Sequence, residues 1–377
     1  MDKKSLSVAI VISIAFVIIA TIMLNYDSLT ATDSKPVTLQ TNEKIGLVIN
    51  SPNQSVSLEQ VNQVYSDASS SGIGRSNVYL FWNLLEPNKG QYDWRQSDVL
   101  MGFNEKNDLK VTLFFSVING ERLGPFPDWI GKPSINAIGE DRLVDTLDAI
   151  LSRYHIIDAV IISGETESQF RYNEQNIPVY KEFFSNVYGK IKEKHPDVKF
   201  GNSFGLHHAI NKNLQHIVAD LSLGDFTAFS YSPTDNINEI NKTPQEAKDD
   251  LEQMFEIIPN QKIGLFEISW STSDFVNGDS SSQDEFLVKL FEFYSDNEEE
   301  IEFVTWYRYY DRPEGTCAAE QQKIGEENVV VEGSVMGGTE FTLERLNYYI
   351  CNSGLIEVDG NEKSGWNEFK NQIQLQQ

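Results

Sequence analysis

The chain predicts a single (β/α)₈ barrel preceded by a helix of membrane-spanning length. Three observations carry that reading. Eight short β-rich runs alternate with amphipathic helical patterns, a count that suits one large α/β barrel in 377 residues. Several runs are continuous Val/Ile/Phe stretches, which implies strands buried on both faces and hence a parallel sheet. Two of them, Ala159-Val160-Ile161-Ile162-Ser163-Gly164-Glu165 and Lys262-Ile263-Gly264-Leu265-Phe266-Glu267, close on a carboxylate. A doubly wound sheet shares this local pattern. It is disfavoured because no glycine-rich phosphate fingerprint follows the first run.

The elements read in order as follows. Lys3 and Lys4 precede an uncharged run from Ser5 to Asn25, long enough to cross a bilayer. The lysines favour a cytoplasmic N-terminus, so residues 1–25 are expected to be a cytoplasmic stub and transmembrane signal-anchor with the remainder outside. Cleavage near Leu29-Thr30-Ala31, giving a secreted form, is the alternative. Residues 26–43 are polar and aperiodic, a linker, and residues 44–377 form the barrel. Strands are expected at 45–50, 76–82, 109–117, 157–163, 198–203, 226–231, 262–268 and 301–306.

Helices fall between them. Ser57 opens a run with Leu58, Val61, Val64 and Tyr65 on one face. Thr243-Pro244-Gln245-Glu246 combines a cap residue, Pro at the first helical position and Glu at the third. Leu143, Leu147, Ile150 and Leu151 are helically spaced, and residues 284–294 repeat the pattern. Residues 271–282, rich in Ser, Asp and Gly, and residues 312–338 read as rim loops, where barrel enzymes place substrate contacts.

Composition narrows the function. Hydrophobic residues at 40% and aromatics at 11% suffice for a large core. A formal charge of −26 excludes nucleic acid as a natural partner, because that affinity depends on Lys and Arg. Cys317 and Cys351 are the two cysteines, and export would permit them to form a disulfide. The sequons Asn53-Gln54-Ser55 and Asn241-Lys242-Thr243 are consistent with export.

The two strand-end acids are the candidate chemistry. One strand-end Glu is ordinarily a solvated residue. Two acids, on strands four and seven, would face each other across a barrel mouth, as two-carboxylate glycoside hydrolysis requires. No two-His facial set accompanies them, so neither metal nor cofactor is expected. Glu167 is a rival acid two residues beyond Glu165.

The run Ser76-Asn77-Val78-Tyr79-Leu80-Phe81-Trp82-Asn83-Leu84-Leu85-Glu86-Pro87-Asn88-Lys89-Gly90-Gln91-Tyr92-Asp93-Trp94 resembles the second-strand signature of clan A glycoside hydrolases. That clan includes cellulases, endo-galactanases and β-galactosidases. Leu265-Phe266-Glu267-Ile268-Ser269-Trp270-Ser271 is similar to its nucleophile strand, and Phe303-Val304-Thr305-Trp306-Tyr307 to its eighth strand. Residues 351–366 resemble its closing stretch. The resemblance implies a retaining β-glycosidase acting on a carbohydrate, with Glu267 as nucleophile and Glu165 as acid/base. Tyr231 would orient Glu267, and Trp306 would form a sugar platform. Trp82, His207 and Trp270 complete the expected substrate-binding set.

Two departures stand beside the likeness. Gly164 occupies the place of the Asn that usually precedes the acid/base, and Tyr79 sits near an expected Arg. They leave open a carbohydrate-binding surface protein without turnover. A chitinase-like barrel ranks below both, because residues 158–165 lack the middle and last aspartates of its strand-four motif.

Overall fold

The structure is a computed structural model that describes residues 41–52, 56–317 and 338–376. The expected anchor and most of the linker lie outside those residues, as does most of the 312–338 loop. Among the described residues no helix is long and apolar enough to cross a membrane.

Eight parallel strands close into a barrel: β1 (Asn42–Leu47), β2 (Ile73–Tyr79), β3 (Lys110–Asn119), β4 (Ile157–Gly164), β5 (Lys199–Gly205), β6 (Phe226–Tyr231), β7 (Lys262–Ile268) and β8 (Ile301–Trp306). Each pairs with its neighbours in sequence, β8 returns to β1, and a two-residue antiparallel strand, Arg122–Leu123, hangs on β3. All eight coincide with or overlap the expected runs. The largest shifts are in β1 and β2, each of which starts and stops three residues early. Trp82 starts a short helix (Trp82–Leu85) instead, because its indole turns down to Glu86.

The helices are α1 (Leu58–Ser69), α2 (Arg95–Lys106), α3 (Glu140–Arg153), α4 (Ile177–Lys194), α5 (Gln215–Leu221), α6 (Pro244–Ile257), α7 (Ser280–Asp296), α8 (Gly338–Cys351) and α9 (Ser364–Leu375). Ser57 and Thr243 both close full capping boxes, with Gln60 and Glu246. Each satisfies otherwise orphaned backbone donors at its helix start. The expected 271–282 loop is shorter than predicted, since Asp279 caps α7 by accepting from the Ser282 amide at 2.8 Å.

Apolar side chains on the outer strand faces pack under the helices, while Phe114, Ile161, Phe226, Phe266 and Phe303 fill the barrel itself. Small residues make room for them: a Cβ on Gly264 would lie 2.5 Å from Phe303 Cζ. Below this plug, buried Arg75 spans three strands, donating to Thr112 Oγ1 (2.8 Å), the Glu43 carbonyl (2.7 Å) and Asp158 (3.0 Å).

The Glu-Pro signature proves to be an anchor. Glu86 is 0% exposed and accepts from Trp82 Nε1 (2.8 Å), the Gly90 amide (2.6 Å) and Thr146 Oγ1 (3.2 Å), and it pairs with Arg142 on α3. Trp129 Nε1 adds a bond to the Glu86 carbonyl at 3.0 Å. One carboxylate thus ties the end of β2, its following loop and α3. On the same rim, beyond the end of β8, Cys317 and Cys351 form a disulfide, with Cα atoms 5.5 Å apart.

Two stability predictions follow from these ties. Glu86→Ala strands Arg142 without its partner and should cost about 3–5 kcal/mol, read as a lowered denaturation midpoint. Reducing the disulfide opens a loop of separation 34 and should cost about 3–4 kcal/mol. Two reactive thiols in the unreduced, denatured protein would contradict the bond.

Candidate active site

Glu267 reaches the barrel mouth through an irregularity in its strand. Pairing of β7 with β8 runs from Leu265↔Val304 to Ile268↔Trp306, so two residues of β7, Phe266 and Glu267, oppose one of β8. Such a bulge re-aims side chains. Phe266 joins the interior plug, and Glu267 turns inward above it to accept a hydrogen bond from the Tyr79 hydroxyl at the end of β2. Tyr79 leans on the rings of Phe114 and Phe266, at 5.7 and 5.9 Å between centroids, and those two rings stack at 5.7 Å. An aromatic plate therefore floors the site.

Glu165 follows the last residue of β4 and adopts a left-handed backbone, φ 46° and ψ 46°. A non-glycine residue held there carries about 1–3 kcal/mol of strain, a cost concentrated at functional positions. Its carboxylate opens to the cleft near Gly120, where an added Cβ would lie 3.2 Å from Oε2. Glu167 goes elsewhere. It is 0% exposed, accepts from the Gly205 amide (3.1 Å) and Ser168 Oγ (3.2 Å), and lies 3.8 Å from His208 Nδ1. It braces β5 and does not face the cleft.

Gly164 explains itself by the same plate. A Cβ there would sit 2.7 Å from Phe114 Cε2 and Cζ, so the ring fills the space where an Asn side chain would begin. The departures at positions 164 and 79 are linked, since one aromatic neighbour, Phe114, touches both.

Electrostatics follow from burial. Loss of hydration raises Glu267 to about 7; the Tyr79 hydrogen bond pulls it down, the Glu165 charge pushes it up, and Arg308 pulls it down. Glu165 exposes surface to the cleft, yet the crowding walls deprive it of water and raise its pKa. His208 opposes that rise and Glu167 adds to it. Burial and the Glu267 charge hold the Tyr79 phenol well above its usual range. Arg308 donates to the Tyr307 hydroxyl at 2.7 Å, and the Tyr307 amide bonds the Ile268 carbonyl at 2.8 Å beside Glu267.

Several expected residues are displaced from the cleft. Trp82, Trp270 and Trp306 are 2%, 1% and 0% exposed and present no ring face to a sugar. Trp306 ends β8 as expected, but its side chain lies on the outer face, with Nε1 donating to the Ser353 carbonyl at 3.2 Å. Tyr231 is also buried; its hydroxyl donates to Asp250 on α6 at 2.8 Å, away from Glu267. The partner of Glu267 is Tyr79. His207 lies past the end of β5 in a short helix (Leu206–Asn211), half-buried, its ring 4.1 Å from that of His208. Burial drives its pKa well down, leaving it neutral. Tyr307, an aromatic the sequence also offers as a sugar-stacking candidate, is half-buried at the rim beside Glu267. Among the described residues no cluster of His, Cys, Asp and Glu could hold a metal ion.

Solved structures with the same architecture decide the fold. A GH5_18 protein from Bifidobacterium longum, in complex with Manb1-4GlcNAc, superposes with a TM-score of 0.60 at 11% identity, covering 88% of this chain and 78% of that one. The two chains share one fold, an eight-stranded parallel α/β barrel. A GH5_18 protein from Streptomyces cattleya gives a TM-score of 0.61 at 12% identity over 89% and 81% of the two chains. Xylanase 10B from Thermotoga maritima gives 0.57 at 14% over 88% and 95%. No protein-family model and no curated protein matches the sequence. Identities this low make the likeness one of fold.

The raised carboxyl gives a signed prediction. Folded Glu267 keeps its proton to about pH 7, whereas a free Glu loses it near 4.5. The folded state binds more protons in that window, so stability falls as pH rises through it. Glu267→Gln removes the penalty and should be more stable than the parent at pH 8, by on the order of 1–3 kcal/mol. The gain should vanish below pH 4.5 in matched thermal melts. Tyr79→Phe deletes a bond that favours the anion, so the Glu267 carboxyl should titrate higher still by NMR.

Proposed function

We propose that the chain is a retaining β-glycoside hydrolase acting on an oligo- or polysaccharide. The observation that supports it most is the pair of carboxylates at the ends of β4 and β7, with Glu165 electrostatically felt by Glu267 across the mouth. Crossing charges of this kind push two carboxyls apart in role. Burial raises both carboxyls, Glu267 to about 7; at Glu267 the Tyr79 hydrogen bond and Arg308 pull back toward the anion, and at Glu165 the neighbouring Glu167 charge adds to the rise while His208 opposes it.

The steps then follow. Glu267 attacks the anomeric carbon with the oxygen not engaged by Tyr79, while Glu165 gives its proton to the departing glycosidic oxygen. That bond breaks and a glycosyl ester forms. Glu165, now a carboxylate, takes a proton from water; the water oxygen bonds the anomeric carbon and Glu267 leaves. Residues 5–25 anchor this barrel outside the cell, a reading supported by Lys3 and Lys4 ahead of an uncharged run. The Cys317–Cys351 bond suits an oxidising compartment.

A second reading keeps the fold and the sugar but not the turnover. Phe114 filling the space beside Gly164 favours it, because one polar contact to substrate is lost there.

The test is a panel of 4-nitrophenyl β-D-glucoside, mannoside, galactoside and xyloside with a set of polysaccharides. Glu267→Gln should lower turnover by on the order of 10⁴ or more. Glu165→Gln should lose about 10²–10⁴ on poor leaving groups and much less on nitrophenol, which needs no protonation. Binding without product release would select the second reading. An inactive Glu167→Gln beside an unaffected Glu165→Gln would reassign the acid. For the anchor, protease on intact cells should release the barrel and leave a membrane-bound stub; a secreted chain starting near Thr32 would refute it.

A further inference from the structure

We infer that Tyr307 is a substrate-binding residue that donates a hydrogen bond to a hydroxyl of the sugar held against Glu267, and that Arg308 is the positioning residue that aims it. The inference rests on the hydrolase reading above and adds a specificity-determining contact to it.

Strand alternation brings Tyr307 to the mouth. Phe303 and Thr305 on β8 face the barrel interior, where Thr305 Oγ1 donates to Asn77 Oδ1 on β2 at 3.3 Å. Asn77 Nδ2 in turn donates to the Phe266 carbonyl on β7 at 2.7 Å. The next inward position on β8 is Tyr307 and on β2 is Tyr79, and Glu267 follows Phe266. The Tyr307 amide keeps the ladder to β7 through the Ile268 carbonyl at 2.8 Å, so the alternation carries past the end of β8. Tyr79, Glu267 and Tyr307 thus form one layer above the plug, and each is half-buried, with part of its surface open to the cleft. Their proximity also shows in the Tyr79 phenol, whose pKa is held high by burial, by the Glu267 charge and then by Tyr307.

Arg308 fixes what the Tyr307 hydroxyl can do. A guanidinium donates and never accepts. The 2.7 Å bond from Arg308 Nη2 therefore uses a lone pair of the Tyr307 oxygen and leaves its proton free. The guanidinium carbon also lies 4.8 Å from the centre of the Tyr307 ring, so the side chain is held at two points. Among the described residues no acceptor takes that proton, and the Glu267 oxygen bonded by Tyr79 is already served. Ser116 Oγ on β3 has no partner at all, but at 6% exposure it is closed off from the cleft. A free donor at an open mouth fits a ligand rich in hydroxyls. A bond relayed from a charged guanidinium is also stronger than one between neutral groups alone.

The experiment uses the full chain in detergent, whichever panel glycoside is cleaved and its mono-deoxy analogues. Tyr307→Phe, which keeps the ring, should lower kcat/KM for the parent glycoside about 10–100-fold. One analogue should lose about 10-fold or more with the unsubstituted protein and no more than about threefold with Tyr307→Phe; the intrinsic reactivity of each compound cancels in that comparison. Arg308→Met should erase the same discrimination, and adding Tyr307→Phe to it should cost no more than about threefold further. Tyr307→Phe decides the donor on its own should Arg308→Met fail to fold. The same losses in both proteins for every analogue, with the parent glycoside cleaved, overturn the inference and leave the hydrolase reading standing. So does a rise of the Glu267 titration by NMR in Tyr307→Phe as large as in Tyr79→Phe, which would put the proton on Glu267. No cleavage of any panel member overturns both.

Discussion

A closed ring of eight parallel strands is stable only if its interior is filled, and in this chain the filling is aromatic. Phe114, Phe226, Phe266 and Phe303 meet inside the barrel, where a Cβ on Gly264 would strike a ring. The same side chains support the mouth. Tyr79 can reach Glu267 because Phe114 and Phe266 hold its ring upright, and Gly164 is glycine because Phe114 occupies its flank. The low hydration that raises Glu267 comes from this plug together with the surrounding walls. Packing that closes the fold also sets the charge state of the site.

Two acids separated by one residue show how much backbone placement decides. Glu165, left-handed at the strand end, opens to the cleft, while Glu167 lies in the following short helix and is spent on the Gly205 amide and Ser168. Both are Glu, and local composition does not distinguish them. The distinction lies in the turn between them.

Much of the fold was legible because it follows from periodicity. All eight strands rest on apolar runs, and the caps at Ser57 and Thr243 are local chemistry. The positions of Glu165 and Glu267 were legible for the same reason, as polar ends to apolar runs. What escaped depends on which face a residue takes and what it meets across the barrel. Trp306 ends its strand as expected but points outward, a matter of alternation between Thr305 and Trp306. Tyr231 found Asp250, on a helix beginning thirteen residues after the end of β6 (244 − 231 = 13). The bulge that turns Glu267 inward needs the register of a neighbouring strand, and the Phe114–Gly164 contact joins residues fifty apart (164 − 114 = 50). The Glu86 motif was legible only as a second-strand signature, and its work as the anchor of a loop depends on Arg142 and Thr146 from a later helix.

The disulfide bears on the integrity of the polypeptide as well as on its stability. Cys317 and Cys351 bracket residues 318–350, so a single backbone cut anywhere in that interval leaves both fragments joined by sulfur. Beyond the cut, the C-terminal fragment still carries α9, whose Phe369 packs on Phe291 of α7, and Lys363, which pairs with Asp311 at 2.7 Å. Nicked chains would therefore migrate as intact protein on a denaturing gel and separate into two bands once a reductant is added.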